Sequence, residues 1–222
     1  MKKIFSMIMM LAVSAFTLVS CAGNSVKTSS ETNQNSKNDT NMTASLKDKK
    51  VLVVYFSHTG ENYSVGNIEE GNTNIIADMI ADATGGTPFE IIPEKDYPHD
   101  SYDAVVEIAK TEKAQKARPA IKGDVKVEDY DVIFLGYPNW WGDMPMPVYT
   151  FIEKHDWNGK TVVPFCTHEG SGLSSTEKYI ADACKGATVA KGLAVRGDTA
   201  QNSRDQARKA VNAWIEKLTL KE

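Results

Sequence analysis

The chain has 222 residues, a formal charge of −4 at neutral pH and an isoelectric point near 5.6. With no basic block beyond its N-terminal leader, it lacks the electrostatic footprint of a nucleic-acid-binding protein, which excludes nucleic acid as a partner. Its three cysteines form neither C-x-x-C nor a metal-ligand spacing, so no metal is expected.

Taken in order, Lys2-Lys3 precede an apolar segment from Ile4 to Val19, too short for a comfortable membrane span. The segment ends Leu18-Val19-Ser20-Cys21, which resembles a bacterial lipobox. That resemblance implies removal of residues 1–20, lipidation of Cys21 and a protein tethered outside the cytoplasm, in the bacterial cell envelope. An ordinary secretory signal with a chance cysteine is the alternative. Residues 21–47 are rich in Ser, Thr, Asn and Lys, with Val26, Met42 and Leu46 as the sizeable apolar residues. Such a stretch cannot bury enough surface to offset its ordering entropy and reads as a flexible tether. Residues 48–222 are ample for one folded domain attached to the membrane through the lipid alone.

That domain opens on Val51-Leu52-Val53-Val54-Tyr55-Phe56, a continuous apolar run of the kind that forms a strand buried on both faces of a parallel sheet. It stops at Ser57-His58-Thr59-Gly60. At the carboxyl end of a strand and beside a helix start, hydroxyl and backbone donors favour an anion. No Lys or Arg is present there, so such a loop would hold phosphate by hydrogen bonds. A helix follows over 74–84, ending at Gly85-Gly86; then a strand over 87–92, a polar turn over 93–100 and a helix over 102–117. Further strands are expected at 132–137, 161–166 despite Pro164, and 187–193, with helices at 148–153, 175–183 and 203–218. Five strands alternating with helices predict an α/β, doubly wound, five-stranded parallel sheet with helices on both faces.

The first strand's ending, YFSHTG, and the Gly71-Asn72-Thr73 that follows resemble the phosphate loop of the flavodoxin family. They differ from a simple flavodoxin in being split by ENYSVGNIEE, residues 61–70, an insertion that could cover a cofactor, with Tyr63 as a contact. The resemblance implies strand order 2-1-3-4-5 and non-covalent FMN at the switch point between the first and third strands. Ser57, Thr59, Gly60, Asn72 and Thr73 would hold its phosphate. The same resemblance assigns the flavin ring to two further loops. One is Pro138-Asn139-Trp140-Trp141-Gly142, where two adjacent tryptophans would be costly to expose without a partner. Trp140 is the expected stacker, Trp141 a possible plug, and Asn139 or Gly142 the backbone contact. The other is Thr167-His168-Glu169-Gly170-Ser171-Gly172, whose glycines let the backbone approach a ligand and whose Thr167 or Ser171 could add a contact. His168 could stabilise charge on the reduced ring or pass a proton. His58 reads as a residue that shapes the phosphate loop, His99 and His155 as surface groups, and Cys166 and Cys184 as buried free thiols or, outside the cytoplasm, a bridge.

Three functions fit this reading. The first is an FMN-dependent oxidoreductase of the NAD(P)H:quinone type, passing electrons to a small acceptor. The second is a pure electron carrier that docks a redox partner. The third is a lipoprotein that keeps the fold but has lost flavin.

Overall fold

The computed structural model describes residues 46–220. The expected signal peptide, Cys21 and nearly all of the tether lie outside the described residues. Strand β1, Val51–Tyr55, is buried throughout, as its uninterrupted apolar run requires. A short antiparallel hairpin, β2 (Gly60–Asn62) and β3 (Gly66–Ile68), precedes helix α1, Asn72–Thr84. Strand β4, Thr87–Glu90, is followed by β5, Ile92–Pro93, and helix α2, Tyr102–Gln115. Strand β6, Ile121–Lys122, pairs with β5 outside the main sheet. Next come β7, Val132–Pro138; α3, Met146–Ile152; β8, Thr161–His168; and α4, Thr176–Ala183. The described chain closes with β9 (Thr188–Val189), β10 (Leu193–Arg196), α5 (Gly197–Asn202) and α6 (Arg204–Ile215).

The sheet runs β4-β1-β7-β8-β10, with every pairing along this path parallel. In order of appearance this is 2-1-3-4-5, the predicted doubly wound arrangement. Alternation along β1 sends Leu52 and Val54 into one core with α2, α3 and α4, and Val51, Val53 and Tyr55 into the other with α1 and α6. Cys166 and Cys184 are both buried and free.

Three expectations shift. The fifth strand, expected over 187–193, is divided and its main part lies later, at Leu193–Arg196. Val189 opposes Val162 and Leu193 opposes Phe165, so β9–β10 carries one residue more than β8 between those pairs, a bulge. The cause is Pro164. Ala190 N–H reaches Val162 O at 2.9 Å, so Pro164, two residues on, turns its missing donor toward this same edge. Gly192 fits the bulge because a Cβ there would lie 2.9 Å from Pro164 O. The expected closing helix over 203–218 begins a residue later and is preceded by the separate α5, with the break at Ser203, whose backbone is not helical. The 61–70 insertion forms the β2–β3 hairpin.

Candidate functional site

The carboxyl ends of β1, β7 and β8 lie side by side in the sheet, so their loops share one rim. At the β1 end, Ser57 Oγ accepts from Asn74 N–H at 3.1 Å. This closes the strand–helix junction against Gly71, the α1 N-cap, where a Cβ would lie 2.8 Å from His58 O and collide with Ser57 Oγ. Gly71 has no side chain to cap the helix. Among the described residues the N–H groups of Asn72 and Thr73 find no acceptor, so both remain available to an anion at the positive end of α1. The Thr73 hydroxyl is buried and paired at 2.8 Å with that of Thr167 from β8, which locks the first loop to the third. Gly60 begins the hairpin with φ 85° and packs against the backbone of His99. Glu61 N–H bonds His99 O at 2.7 Å and Glu61 Oε2 accepts from Tyr102 N–H at 3.1 Å, stapling the hairpin to the start of α2.

The β7 loop is fixed by a tight turn. Trp140 and Asp143 exchange backbone hydrogen bonds of 2.9 and 3.1 Å, and Trp141 and Gly142 between them have φ of 57° and 73°, the double positive φ of a type I′ turn. The turn sends the two indoles apart. Trp140 is half-buried and packs edge-on against Phe56, His58 and Tyr97, with centroids 5.2 to 5.9 Å away. Trp141 is 51 % exposed; its indole N–H donates to Val106 O at 3.1 Å, Lys113 Nζ reaches its carbonyl at 2.6 Å, and Lys110 lies over its ring. Asn139 joins the second and third loops, its N–H on Thr167 O at 2.8 Å and its amide on Gly172 O at 2.7 Å.

In the β8 loop, His168 Nδ1 accepts from Gly170 N–H at 2.9 Å, which leaves the ring proton on Nε2. Partial burial and the nearby Arg196 guanidinium push the His168 pKa below the ordinary histidine value, so the ring is neutral at pH 7. Gly170 and Gly172 have φ of 135° and 58°, and among the described residues Ser171 and Gly172 N–H have no acceptor. Glu169 accepts from Asp198 N–H and Arg196, tying the loop to β10 and α5.

Between these loops lies a slot of about 300 Å³. The expected residues Asn72, Pro138, Asn139, Trp140, Thr167, His168, Gly170 and Ser171 line it. Ser57, Thr59, Gly60, Thr73 and Gly172 do not line it: Thr73 pairs with the lining Thr167, Ser57 braces the start of α1, Thr59 meets His99, Gly60 packs on the His99 backbone and Gly172 gives its carbonyl to Asn139. Trp141 does not line the slot; it walls a second cavity of about 290 Å³ against Tyr102, Val105, Val106 and Ala109. Gly142, in the same turn, lines neither. Asn62, Tyr102 and Glu169 also line the slot and were not singled out from the sequence; Tyr63, named there as a contact, lines it too. Tyr102 had no local signal, being an ordinary first residue of a helix. Its ring lies 5.9 Å from that of Tyr63 across the mouth.

A group with a phosphate at one end and a flat ring at the other fits this arrangement. The Gly71 cradle offers unpartnered N–H donors, the slot has an aromatic wall, and the third loop presents backbone donors along its edge.

Comparison with known proteins agrees. The family model described as Flavodoxin matches residues 50–218. A crystal structure of a protein from Bacteroides eggerthii, described as a flavoprotein, is 30 % identical with a TM-score of 0.62, covering 78 % of this chain and 100 % of its own. A similarly described protein from Bacteroides uniformis is 33 % identical with a TM-score of 0.59, covering 76 % and 98 %. A flavoprotein of Lactobacillus acidophilus in complex with FMN, 21 % identical with a TM-score of 0.52 and covering 71 % and 99 %, shares the fold. A search of curated protein sequences found no match. The match over 50–218 and the likeness to the two Bacteroides proteins together make this chain a member of the flavodoxin family.

Proposed function

We propose that residues 48–222 hold FMN non-covalently in the slot and use it to pass electrons from a reductant to a small acceptor. FMN is the cofactor of the flavodoxin family, and when bound it supplies reversible electron transfer that no side chain here could provide. The observation that carries the reading is the order of features along one rim: free N–H groups at the start of α1, the Trp140 wall, then the donor-rich loop 168–172. In this reading Asn72 and Thr73 N–H, with the hydroxyls of Ser57 and Thr59, receive the phosphate. Trp140 covers the ring, while Ser171 and Gly172 N–H orient its polar edge. His168 offers its Nε2–H as a neutral donor toward charge that develops on reduction.

The second cavity favours a small acceptor over pure electron carriage. It shares Asn139, Trp140 and Tyr102 with the slot and is otherwise apolar, a space for a flat, uncharged molecule beside the ring. FMN-loaded protein is expected to oxidise NADH or NADPH in the presence of a quinone or nitroarene. Negligible turnover with every such acceptor, alongside electron exchange with a protein donor, would make it a carrier. The location reading rests on residues 1–21 alone: export and lipidation of Cys21. Cys21→Ser should move the protein from the membrane to the soluble fraction, and a protein that stays in the membrane would remove the lipid anchor.

A further inference from the structure

His99 comes from the turn before α2, forty positions from the phosphate loop in sequence, yet it touches that loop. Its Nδ1 lies 3.0 Å from Thr59 Oγ1 and 3.2 Å from Thr59 O, and its Nε2 lies 3.1 Å from Asp96 Oδ2. We propose that His99 is a proton-dependent positioning residue for the cofactor phosphate, switching the Thr59 hydroxyl between facing the phosphate and facing the imidazole. This rests on the FMN reading above.

The switch follows from donor and acceptor inventory. Asp96 requires a proton on the nitrogen that faces it, so Nε2–H is retained in both charge states. In the imidazolium, Nδ1–H also donates, to Thr59 O and Oγ1 together. Thr59 Oγ1 is then an acceptor, and its own hydrogen points away from the ring, free for a phosphate oxygen. When His99 loses a proton it comes from Nδ1, which becomes an acceptor. The Thr59 hydroxyl then donates to His99 and is lost to the phosphate. A loop with no Lys or Arg thereby gains both a nearby cation and a correctly turned hydroxyl from one protonation.

The surroundings favour the charged form. The hydrogen bond to Asp96 raises the His99 pKa above the ordinary histidine value against the effect of burial, assisted by Thr59 O and Asp100. The other groups around the ring do not compete for the proton. His58 stacks on it at 5.3 Å but is itself held down to about 4 by burial and by His99. Glu61 is engaged with Tyr102 N–H.

The sign is fixed by the geometry: phosphate affinity is high below the folded His99 pKa and falls as pH rises through it. By linkage, FMN must raise the His99 pKa and riboflavin, which lacks the phosphate, must not. The test is the ratio of FMN to riboflavin affinity for the full chain, measured by fluorescence quenching as pH rises from about 7, where the phosphate is already dianionic, through the His99 pKa found by NMR titration. The ratio should fall about tenfold in the wild type, the value of one hydrogen bond to a charged group. It should stay flat in His99→Gln and fall at lower pH in Asp96→Asn. NMR titration of His99 gives an independent reading, with a higher pKa in the FMN complex than in the riboflavin complex. An equal fall in wild type and His99→Gln, or the same His99 pKa with both ligands, overturns the assignment while leaving FMN binding intact. Failure of the wild type to bind FMN at any pH overturns both.

Discussion

At the α1 end of the site the Ser57 and Thr73 hydroxyls are spent on bracing the loops while backbone N–H groups stay free, whereas at the tryptophan end large aromatic surfaces are left in water. Thr73 bonds Thr167, Ser57 bonds Asn74 N–H and Gly71 leaves no room for a Cβ, so the cradle is set before any ligand arrives. Tyr63 and Trp141, 62 % and 51 % exposed, flank the other end. The difference teaches that one end can anchor a ligand by preorganised donors, while the other can meet a second molecule without rearranging the core.

The comparison is broken most severely at Gly71. Gly71→Ala forces a methyl against Ser57 Oγ and His58 O, and FMN affinity should drop about 100-fold, as expected for overpacking at a rigid site. Wild-type affinity by fluorescence titration would mean that the cradle can widen. Trp140→Ala should weaken FMN and riboflavin alike by more than about 1 kcal/mol, because the ring end does not distinguish them. It should also lower the melting temperature, since Trp140 packs on Phe56, His58 and Tyr97. Unchanged affinity for both ligands would remove Trp140 as the covering ring. Thr59→Ala sharpens the contrast from the other side, weakening FMN about tenfold at pH 7 and sparing riboflavin; equal losses would take Thr59 out of the phosphate site. Tyr63→Ala, at the exposed hairpin tip, should change FMN affinity less than about threefold, and a larger loss would make the hairpin part of the anchor.

Much of this architecture was legible because its decisive signals are local. The run Val51–Phe56 is apolar over too many consecutive residues to be half-exposed, and the three loops follow strands that the alternating pattern marks, in a sheet order that the flavodoxin resemblance supplied. What was not legible depends on contacts between distant segments. The bulge in the fifth strand is dictated by Pro164 on its neighbour, and nothing in residues 187–193 announces it. Strands as short as Gly60–Asn62 and Gly66–Ile68 have too few residues to show a period. That the two indoles diverge, with Trp141 exposed rather than plugging the sheet edge, was not legible, because it depends on a positive φ at Trp141, a rare conformation for that residue. His99 looked like a surface group in a polar turn, and it is half-exposed; only the fold brings it to Thr59.

The claim on which all of this stands is that three separate loops make one slot for a flat, phosphorylated ring. The most direct measurement is a titration of the purified full chain with FMN, followed by visible absorption and flavin fluorescence, with riboflavin in parallel. Saturable one-to-one quenching, a perturbed flavin spectrum and tighter binding of FMN than of riboflavin are the predicted result. Unquenched fluorescence with an unshifted spectrum, or equal affinity for the two flavins, would contradict it.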